Sequence, residues 1–327
     1  MKFFRLSLYF RYFSALSKRP RFVHIFALFP NILFRGADFF SFFRIFVLAN
    51  RVPNRVIRQQ EEVPEIELLV CSTAKDFWLL TDCLTHAIKS SVNPISRISV
   101  IVPSHDVDAC STEIAELITD TDIEFDVIDE NSLIPDSARS VLIDKMGQSY
   151  GWALQQFLTV AFVCNSSSKG VLAVNSDTII LQPRLWLETD GKQELLVSWE
   201  FHKPYYKVLK KLDPTLSNIE FSLICHQMLF QPEIFRQILS ELNVHSISQF
   251  ISLVLENADL TQRSPFCVEF ELYGQKILRK HPSKVILNRF ANISVQLDSD
   301  VRIRHNQIRE FILSGEYNSI SNHSWMT

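Results

Sequence analysis

The sequence is poor in glycine. Seven occur in 327 residues, none of them grouped; no GxGxxG follows an apolar run and no GxxxxGK[ST] occurs anywhere. The glycine-rich backbone cradles that hold phosphates in dinucleotide-binding and P-loop proteins are therefore excluded. A phosphate ligand would need another partner, such as a metal ion. The six cysteines (Cys71, Cys83, Cys110, Cys164, Cys225 and Cys267) stand far apart, with no CxxC pair and no His/Cys cluster at zinc spacing. That excludes a zinc site of ordinary pattern, and the thiols read as small apolar core residues in a reducing compartment.

Acidic residues are almost missing from the first sixty positions, where Asp38 alone faces eleven Lys or Arg. This stretch carries a formal charge of +10 and the remainder −13, for a net −3. A uniformly basic nucleic-acid binder does not divide its charge in this way, and no nucleic-acid partner is expected. The stretch also lacks a run of bilayer length. Its longest uncharged segment, Phe22 to Phe34, is interrupted by Pro30, whereas a spanning helix needs about 20 apolar residues. No small-residue cleavage site follows it, which argues against a secretory signal.

What the stretch has is phenylalanine: 13 of the 26 in the chain. These rings, with Leu and Ile, interleave Arg5, Arg11, Lys18, Arg19, Arg21, Arg35 and Arg44. Such a pattern suits helices lying in a membrane interface, rings buried and cations on anionic headgroups. It suits equally helices packed onto the rest of the protein or onto a second subunit. Residues 1–60 are expected to form a basic helical extension, with Ala49 to Pro64 as its linker. The chain is placed in the cytoplasm, at the inner face of the cell membrane. Residues 61–327 are expected to form the main domain.

From Ile66 onward short β-rich runs alternate with helical periodicity. Strands are predicted at Ile66 to Cys71, Ile98 to Val102, Phe125 to Ile128 and Gly170 to Val174. Helices are predicted at Asp76 to Ser90, Ile114 to Ile118 and Tyr150 to Cys164, where apolar residues recur at helical spacing. Alternation of this kind means βαβ units and a mostly parallel α/β sheet flanked by helices. Ligands of such sheets bind at the carboxyl ends of the strands.

Directly after the fourth strand stands Asn175-Ser176-Asp177-Thr178. A carboxylate there can hold a hard divalent cation that bridges phosphates, and Asn175 shares its side of the strand by the two-residue period. An Asx-type turn closing the strand would use the same residues.

The chain from Ile66 to its C-terminus resembles the GT-A glycosyltransferases, and more closely an uncharacterised bacterial family of that type. The resemblance rests on a strand followed by Thr73-Ala74-Lys75-Asp76-Phe77, on Asn93-Pro94-Ile95, on Gly151-Trp152-Ala153-Leu154-Gln155-Gln156, on Asn175-Ser176-Asp177-Thr178, on Cys225-His226-Gln227-Met228-Leu229-Phe230 and on Glu269-Phe270-Glu271-Leu272-Tyr273-Gly274. It implies a GT-A-like sheet, a nucleotide-sugar donor, a glycan or lipid-linked acceptor, and Mn²⁺ or Mg²⁺ as cofactor. It sets Asn175-Ser176-Asp177 where those enzymes carry the D-x-D metal and nucleotide-sugar motif, with Asn replacing the first Asp. Thr73, Asp76 and Gln156 join the donor side. His323, in a C-terminal closing segment, is the candidate third metal ligand beside Asp177 and Asn175.

Three further stretches supply candidates. Glu269 and Glu271 are expected at the opening of a helix capped by Ser264, with Pro265 in its first turn. At roughly 100° per residue they point about 200° apart, so only one can face a pocket. Glu269 is preferred as the general base, while Tyr273 shares its side at i+4. His226 lies in an apolar run, Phe221 to Phe230, expected to be a strand near the acceptor. Trp199, Glu200 and His202 follow the run Leu195 to Val197 and are assigned to the acceptor, Trp199 to stack on a sugar face.

Overall fold

The computed structural model describes residues 39–53, 62–119, 123–217 and 219–322. The first described element is helix α1 (Phe39–Arg51), followed by β1 (Ile66–Cys71), α2 (Phe77–Ser90), β2 (Ile95–Val102), α3 (Val107–Thr119), β3 (Glu124–Asp129), α4 (Asp136–Met146), α5 (Tyr150–Asn165) and β4 (Val171–Asn175). The chain continues through β5 (Thr178–Ile180), β6 (Gln193–Val197), α6 (Lys203–Leu212), β7 (Gln227–Phe230), α7 (Pro232–Glu241), α8 (Ile247–Asn257), α9 (Phe270–Lys280), β8 (Val285–Arg289), β9 (Asn292–Val295), α10 (Val301–Ser314) and β10 (Ser319–Asn322).

The central sheet has the order β3-β2-β1-β4-β7, parallel but for the antiparallel edge strand β7. Its inner strands are buried along nearly their whole length, which is why they read as continuous apolar runs rather than as alternation. Successive crossovers carry the chain from β1 out to β2 and β3, then back past β1 to β4. The order reverses between β1 and β4, the position at which open α/β sheets leave a crevice beyond the strand ends. Two small sheets, β5-β10-β9 and β6-β8, close around the carboxyl end of β4.

The α/β class and the mostly parallel sheet are as the sequence predicts, and the four predicted strands and the helices α2 and α5 stand where expected. The third helix is longer than Ile114 to Ile118 suggests, because Val107 and Cys110 extend the buried face set by Ile114. Only Gln227–Phe230 of the predicted strand 221–230 pairs with β4. Residues 221–226 turn away and offer a backbone N–H and a hydroxyl to Glu271 instead. Ser264 does not cap α9 and Pro265 is not in its first turn: the helix begins at Phe270, the preceding residue Glu269 holds the cap position, and the Ser264 carbonyl accepts from His202.

Helix α1 belongs to the same core as the sheet. Phe42, Ile45, Ala49 and Val52 are buried at helical spacing, and Arg44 donates to the Ile219 carbonyl. The Pro53 carbonyl accepts from Arg289 N at 3.3 Å, which ties the chain after α1 to the end of β8. The described part of the N-terminal extension is thus a packing element. The rest of it, residues 1–38, and the segment 54–61 lie outside the described residues. Among the described residues no helix is long and apolar enough to cross a membrane.

Candidate functional site

The crevice at the reversal point is built from the carboxyl ends of β1 and β4, whose last residues, Cys71 and Asn175, are paired in register. From β1 the chain passes through Ser72 and Thr73 into a 3-10 turn, Ala74–Asp76. From β4 it passes through Ser176 and Asp177 into β5. The two exits meet: Ser176 Oγ donates to Asp76 Oδ2 at 3.3 Å. Burial pushes the Asp76 carboxyl above its ordinary range, Lys75 opposes this, and the charge of Asp177 adds to it. Two acids and a bridging hydroxyl therefore share one crevice. Thr178 Oγ1 donates to Asp177 Oδ1 at 3.3 Å, and the Asp177 carbonyl accepts from Asn322 N at 2.8 Å. The last described residue of the chain thus lies against the motif. His323, the candidate third metal ligand, lies outside the described residues.

Asn175 is held from both sides. Its Oδ1 accepts from Gln155 Nε2 at 3.2 Å, its Nδ2 meets His226 Nδ1 at 3.2 Å, and its backbone N donates to the His226 carbonyl at 2.9 Å. Asn175 and His226, expected on the donor and acceptor sides respectively, are thereby brought together. Gln155, which the sequence reading left unassigned, is the residue that fixes the motif. Its signal was one position away, in Gln156.

Two buried carboxylates, Glu269 and Glu271, stand at the start of α9. Glu271 is fully buried, and its Oε1 accepts from Tyr206 Oη at 3.1 Å, Ser222 Oγ at 3.1 Å and Leu223 N at 3.0 Å. Its Oε2 accepts from Gln275 Nε2 at 2.8 Å. Burial pushes it up to about 7 against the pull of these donors. Glu269 is 8% exposed, and its Oε2 has no hydrogen-bond partner among the described residues. Burial pushes Glu269 up to about 8, its own and the Val268 backbone N–H lower it, and the charge of Glu271 raises it. Its field reaches the Cys71 thiol at the tip of β1, which burial pushes up to about 12 with Glu269 contributing. The four donors of Glu271 do not reach Glu269, while the charge of Glu271 raises it.

Other candidates are distributed less favourably. Gln156 Oε1 accepts from Val268 N at 2.9 Å, so its polar end supports the peptide before Glu269 rather than facing the donor side. Tyr273 is fully buried; its hydroxyl donates to Gln193 Oε1 at 2.6 Å and accepts from Gln231 N at 2.8 Å. That places it in the core, out of reach of an acceptor. Trp199 packs its ring edge-on against Phe42 and Phe46 of α1, with centroids 6.3 and 6.1 Å apart. His202 donates from Nε2 to the Ser264 carbonyl at 2.9 Å and meets the Tyr205 ring at 4.5 Å. Glu200 is exposed beside them, its N–H donating to Ser198 Oγ at 2.9 Å.

At the exit of β1 and on α4 the fold leaves polar atoms unused. Among the described residues, Ser72 Oγ, Thr73 Oγ1 and Arg139 Nε and Nη1 are buried without hydrogen-bond partners. Buried groups of this kind are few in native proteins and ask for a ligand or water. Arg139 lies on α4, where its guanidinium hydrogen-bonds the Tyr150 side chain and feels the charge of Glu130. It had no sequence signal, because nothing in the chain around it announces a site. Among the described residues no three His, Cys, Asp or Glu cluster as a complete metal site. The chemistry of Asp76 and Asp177 nevertheless suits a hard cation that takes oxygen ligands.

No protein-family model matches the chain, and no curated protein matches it by sequence. Among solved structures, mouse xyloside xylosyltransferase 1 in its apo form is similar at 12% identity, covering 80% of this chain and 99% of that chain with a TM-score of 0.44. The galactosyltransferase LgtC in complex with donor and acceptor sugar analogues is similar at 10% identity, over 78% of this chain and 86% of that one, with a TM-score of 0.44. The mannosyltransferase Ktr4p from S. cerevisiae in complex with GDP is similar at 8% identity, over 66% and 70%, with a TM-score of 0.42. Likenesses this distant identify no substrate for the present chain.

Proposed function

We propose that this chain is a glycosyltransferase that moves a sugar from a nucleotide-diphosphate donor to a hydroxyl of a glycan or lipid-linked acceptor. The observation that carries the reading is the meeting of Asp76, Ser176 and Asp177 at the reversal point of the sheet, together with Glu269, a buried carboxyl whose Oε2 has no hydrogen-bond partner among the described residues and whose charge reaches Cys71 at the end of β1. Asp177 and Asp76 would hold Mn²⁺ or Mg²⁺, with His323 next in sequence to the Asn322 that bonds Asp177. The cation would offset the charge that develops on the leaving diphosphate. Asn175, gripped by Gln155 and His226, keeps the motif in place and can lend its remaining oxygen lone pair. Thr73, Ser72 and Arg139 offer unused donors to the donor's hydroxyl and phosphate oxygens.

Glu269 is the group assigned to accept the proton of the acceptor hydroxyl. A base near neutrality is best matched to that task, and burial brings a carboxyl into that range. Glu271, saturated by four donors, holds residues 222 and 223 and the start of α9 in position. Glu200 and His202 line the acceptor side. The basic extension, residues 1–60, carries the protein to an anionic membrane surface, which fits a peripheral enzyme at the cytoplasmic face.

One observation favours a second reading, a binding protein that retains the fold without the chemistry: Asn175 lacks the charge of an Asp, and its amide is engaged by neighbours. Release of free sugar from a panel of nucleotide sugars, with and without Mn²⁺, separates the two. Metal-dependent release of one sugar supports the transferase. No release from any donor with any metal supports the binding protein.

A further inference from the structure

The two acids of the crevice belong to different parts of the chain, and a closed circuit of bonds joins them by the long way round. Asp76 stands immediately before α2, while Asp177 follows β4. On the near side Ser176 Oγ donates to Asp76 Oδ2 at 3.3 Å. On the far side the circuit leaves α2 at Asp82. Its buried carboxylate accepts from Arg304 Nε on Oδ2 at 2.5 Å and meets His305 Nε2 with Oδ1 at 3.0 Å, both on α10. The same guanidinium donates from Nη1 to the carbonyls of Asp298 and Ser299, at 3.2 and 2.8 Å. The residue before them, Leu297, donates its N–H to Asn322 Oδ1 at 2.7 Å. Asn322 N in turn donates to the Asp177 carbonyl at 2.8 Å, and the circuit is complete.

Each member of this circuit is held from more than one side. Arg304 is buried, and its guanidinium carbon lies 5.0 Å over the Trp78 ring. A planar fork can grip a carboxylate and two carbonyls at once, which an ammonium cannot do in one geometry. Asp300 Oδ1 accepts from Ile303 N at 3.0 Å and Gln307 Oε1 accepts from Asp298 N at 3.1 Å, so α10 also holds the segment between Leu297 and Arg304. Asn322 is buried at the end of β10, which pairs with β5 on one side and β9 on the other. It cannot slide along the sheet without turning every side chain of that strand over. Two helices could be joined at lower cost by apolar residues. What a forked and fully engaged ion pair adds is a single relative position.

We propose that Asp82 and Arg304 are positioning residues of the cation site, which fix through Leu297 and Asn322 where Asp177 stands relative to Asp76. This rests on the reading of Asp76 and Asp177 as cation ligands, and not on sugar transfer. Groups that orient metal ligands from behind govern how tightly the ion is held. A small ion such as Mg²⁺ demands a set ligand spacing, whereas Ca²⁺ tolerates a loose one. The circuit therefore favours the smaller ion.

The test uses the full chain and the metal alone. Mn²⁺ binding is read from the electron paramagnetic resonance of the free ion, and Mg²⁺ and Ca²⁺ by their displacement of Mn²⁺. Asp82→Asn combined with Arg304→Gln exchanges the ion pair for an amide pair and leaves neither charge buried alone. Asn322→Ala cuts the circuit at its other end and keeps the backbone N–H that meets Asp177. Each variant is expected to weaken Mn²⁺ and Mg²⁺ about 10- to 100-fold and Ca²⁺ by less. All three substitutions together are expected to lose no more than the weaker-binding of the two variants, because a circuit cut once is already open. Unchanged Mn²⁺ affinity in Asn322→Ala would overturn the inference, and this variant decides alone if the ion-pair variant does not fold. Equal losses for Mg²⁺ and Ca²⁺, or losses that add, would also overturn it, since they mark a general loosening rather than a set spacing. Absence of Mn²⁺ binding by the wild type would instead overturn the cation reading itself.

Discussion

Two carboxylates two residues apart at the start of α9 are treated in opposite ways by the chain around them. Glu271 receives four donors from α6, from the loop before β7 and from its own helix. Glu269 keeps an oxygen without a partner among the described residues while buried to nearly the same degree. Burial alone makes ionisation costly; burial with donors makes it affordable and ties distant segments together. The comparison separates a carboxylate that maintains the structure from one that the structure holds in reserve.

The widest gap between the two is expected in catalysis. Glu269→Gln keeps the shape and removes the proton acceptor, so sugar transfer should fall about 100- to 10,000-fold while nucleotide affinity, measured by calorimetry, stays within about twofold of wild type. A parallel loss of nucleotide binding would move Glu269 from the acceptor side to the donor side.

The next effect is on stability. Glu271→Ala strands the donors of Tyr206, Ser222, Leu223 and Gln275, and at about 1–3 kcal/mol for each group left unsatisfied, reduced where water enters, a total loss of about 3 kcal/mol is expected. Denaturant unfolding would show this as a lower midpoint at unchanged slope. The same substitution at Glu269 should cost less, since its only donors are two backbone N–H groups, its own and that of Val268, and Val268 N also donates to Gln156 Oε1.

The smallest effect is a pH dependence. Glu269 titrates at about 8 in the folded protein, against an ordinary value of 4.5. A raised carboxyl binds its proton more tightly when folded, so its contribution is fully present below about 4.5 and is lost as pH rises through about 8. Glu269→Gln, which has no charge to bury, should therefore gain thermal stability relative to wild type progressively from pH 5 to pH 8 and hold that gain above pH 8, by an amount on the order of 1–2 kcal/mol after relaxation. A difference that shrinks with pH would reverse the assignment.

The sheet and the motif were legible in the sequence because their causes are local. A parallel strand buried on both faces writes itself as an apolar run, and the residue after it must stand at the strand's carboxyl end, which placed Asp177. That two acids would stand at the opening of a helix was legible too, although the helix begins at Phe270 and leaves Glu269 at its cap position. What was illegible depends on partners distant in sequence. Nothing near Trp199 says that Phe42 and Phe46 will cover it, so an indole assigned to a sugar turned out to anchor a helix. Tyr273 reads like a site residue beside two acids, yet its hydroxyl belongs to Gln193 and Gln231. The loop 221–226 reads as strand because most of its residues are apolar; its backbone goes instead to separate partners, Leu223 N to Glu271 and the Phe221, Ser222 and His226 carbonyls to Gln275, Ser198 N and Asn175 N. The contact of α10 with α2, through Arg304 and His305 on Asp82, joins residues more than two hundred positions apart and has no sequence signature.

The account depends most directly on Asp177 as the point where a cation and a nucleotide diphosphate meet. Thermal unfolding of the full chain against a panel of nucleoside diphosphates, each with and without Mn²⁺, tests this before any acceptor is known, because a ligand of the folded state raises the melting temperature by mass action. The account predicts that one nucleotide raises it only when Mn²⁺ is present, and that Asp177→Ala abolishes the rise. A nucleotide shift that survives Asp177→Ala, or no shift with any nucleotide and metal, would contradict it.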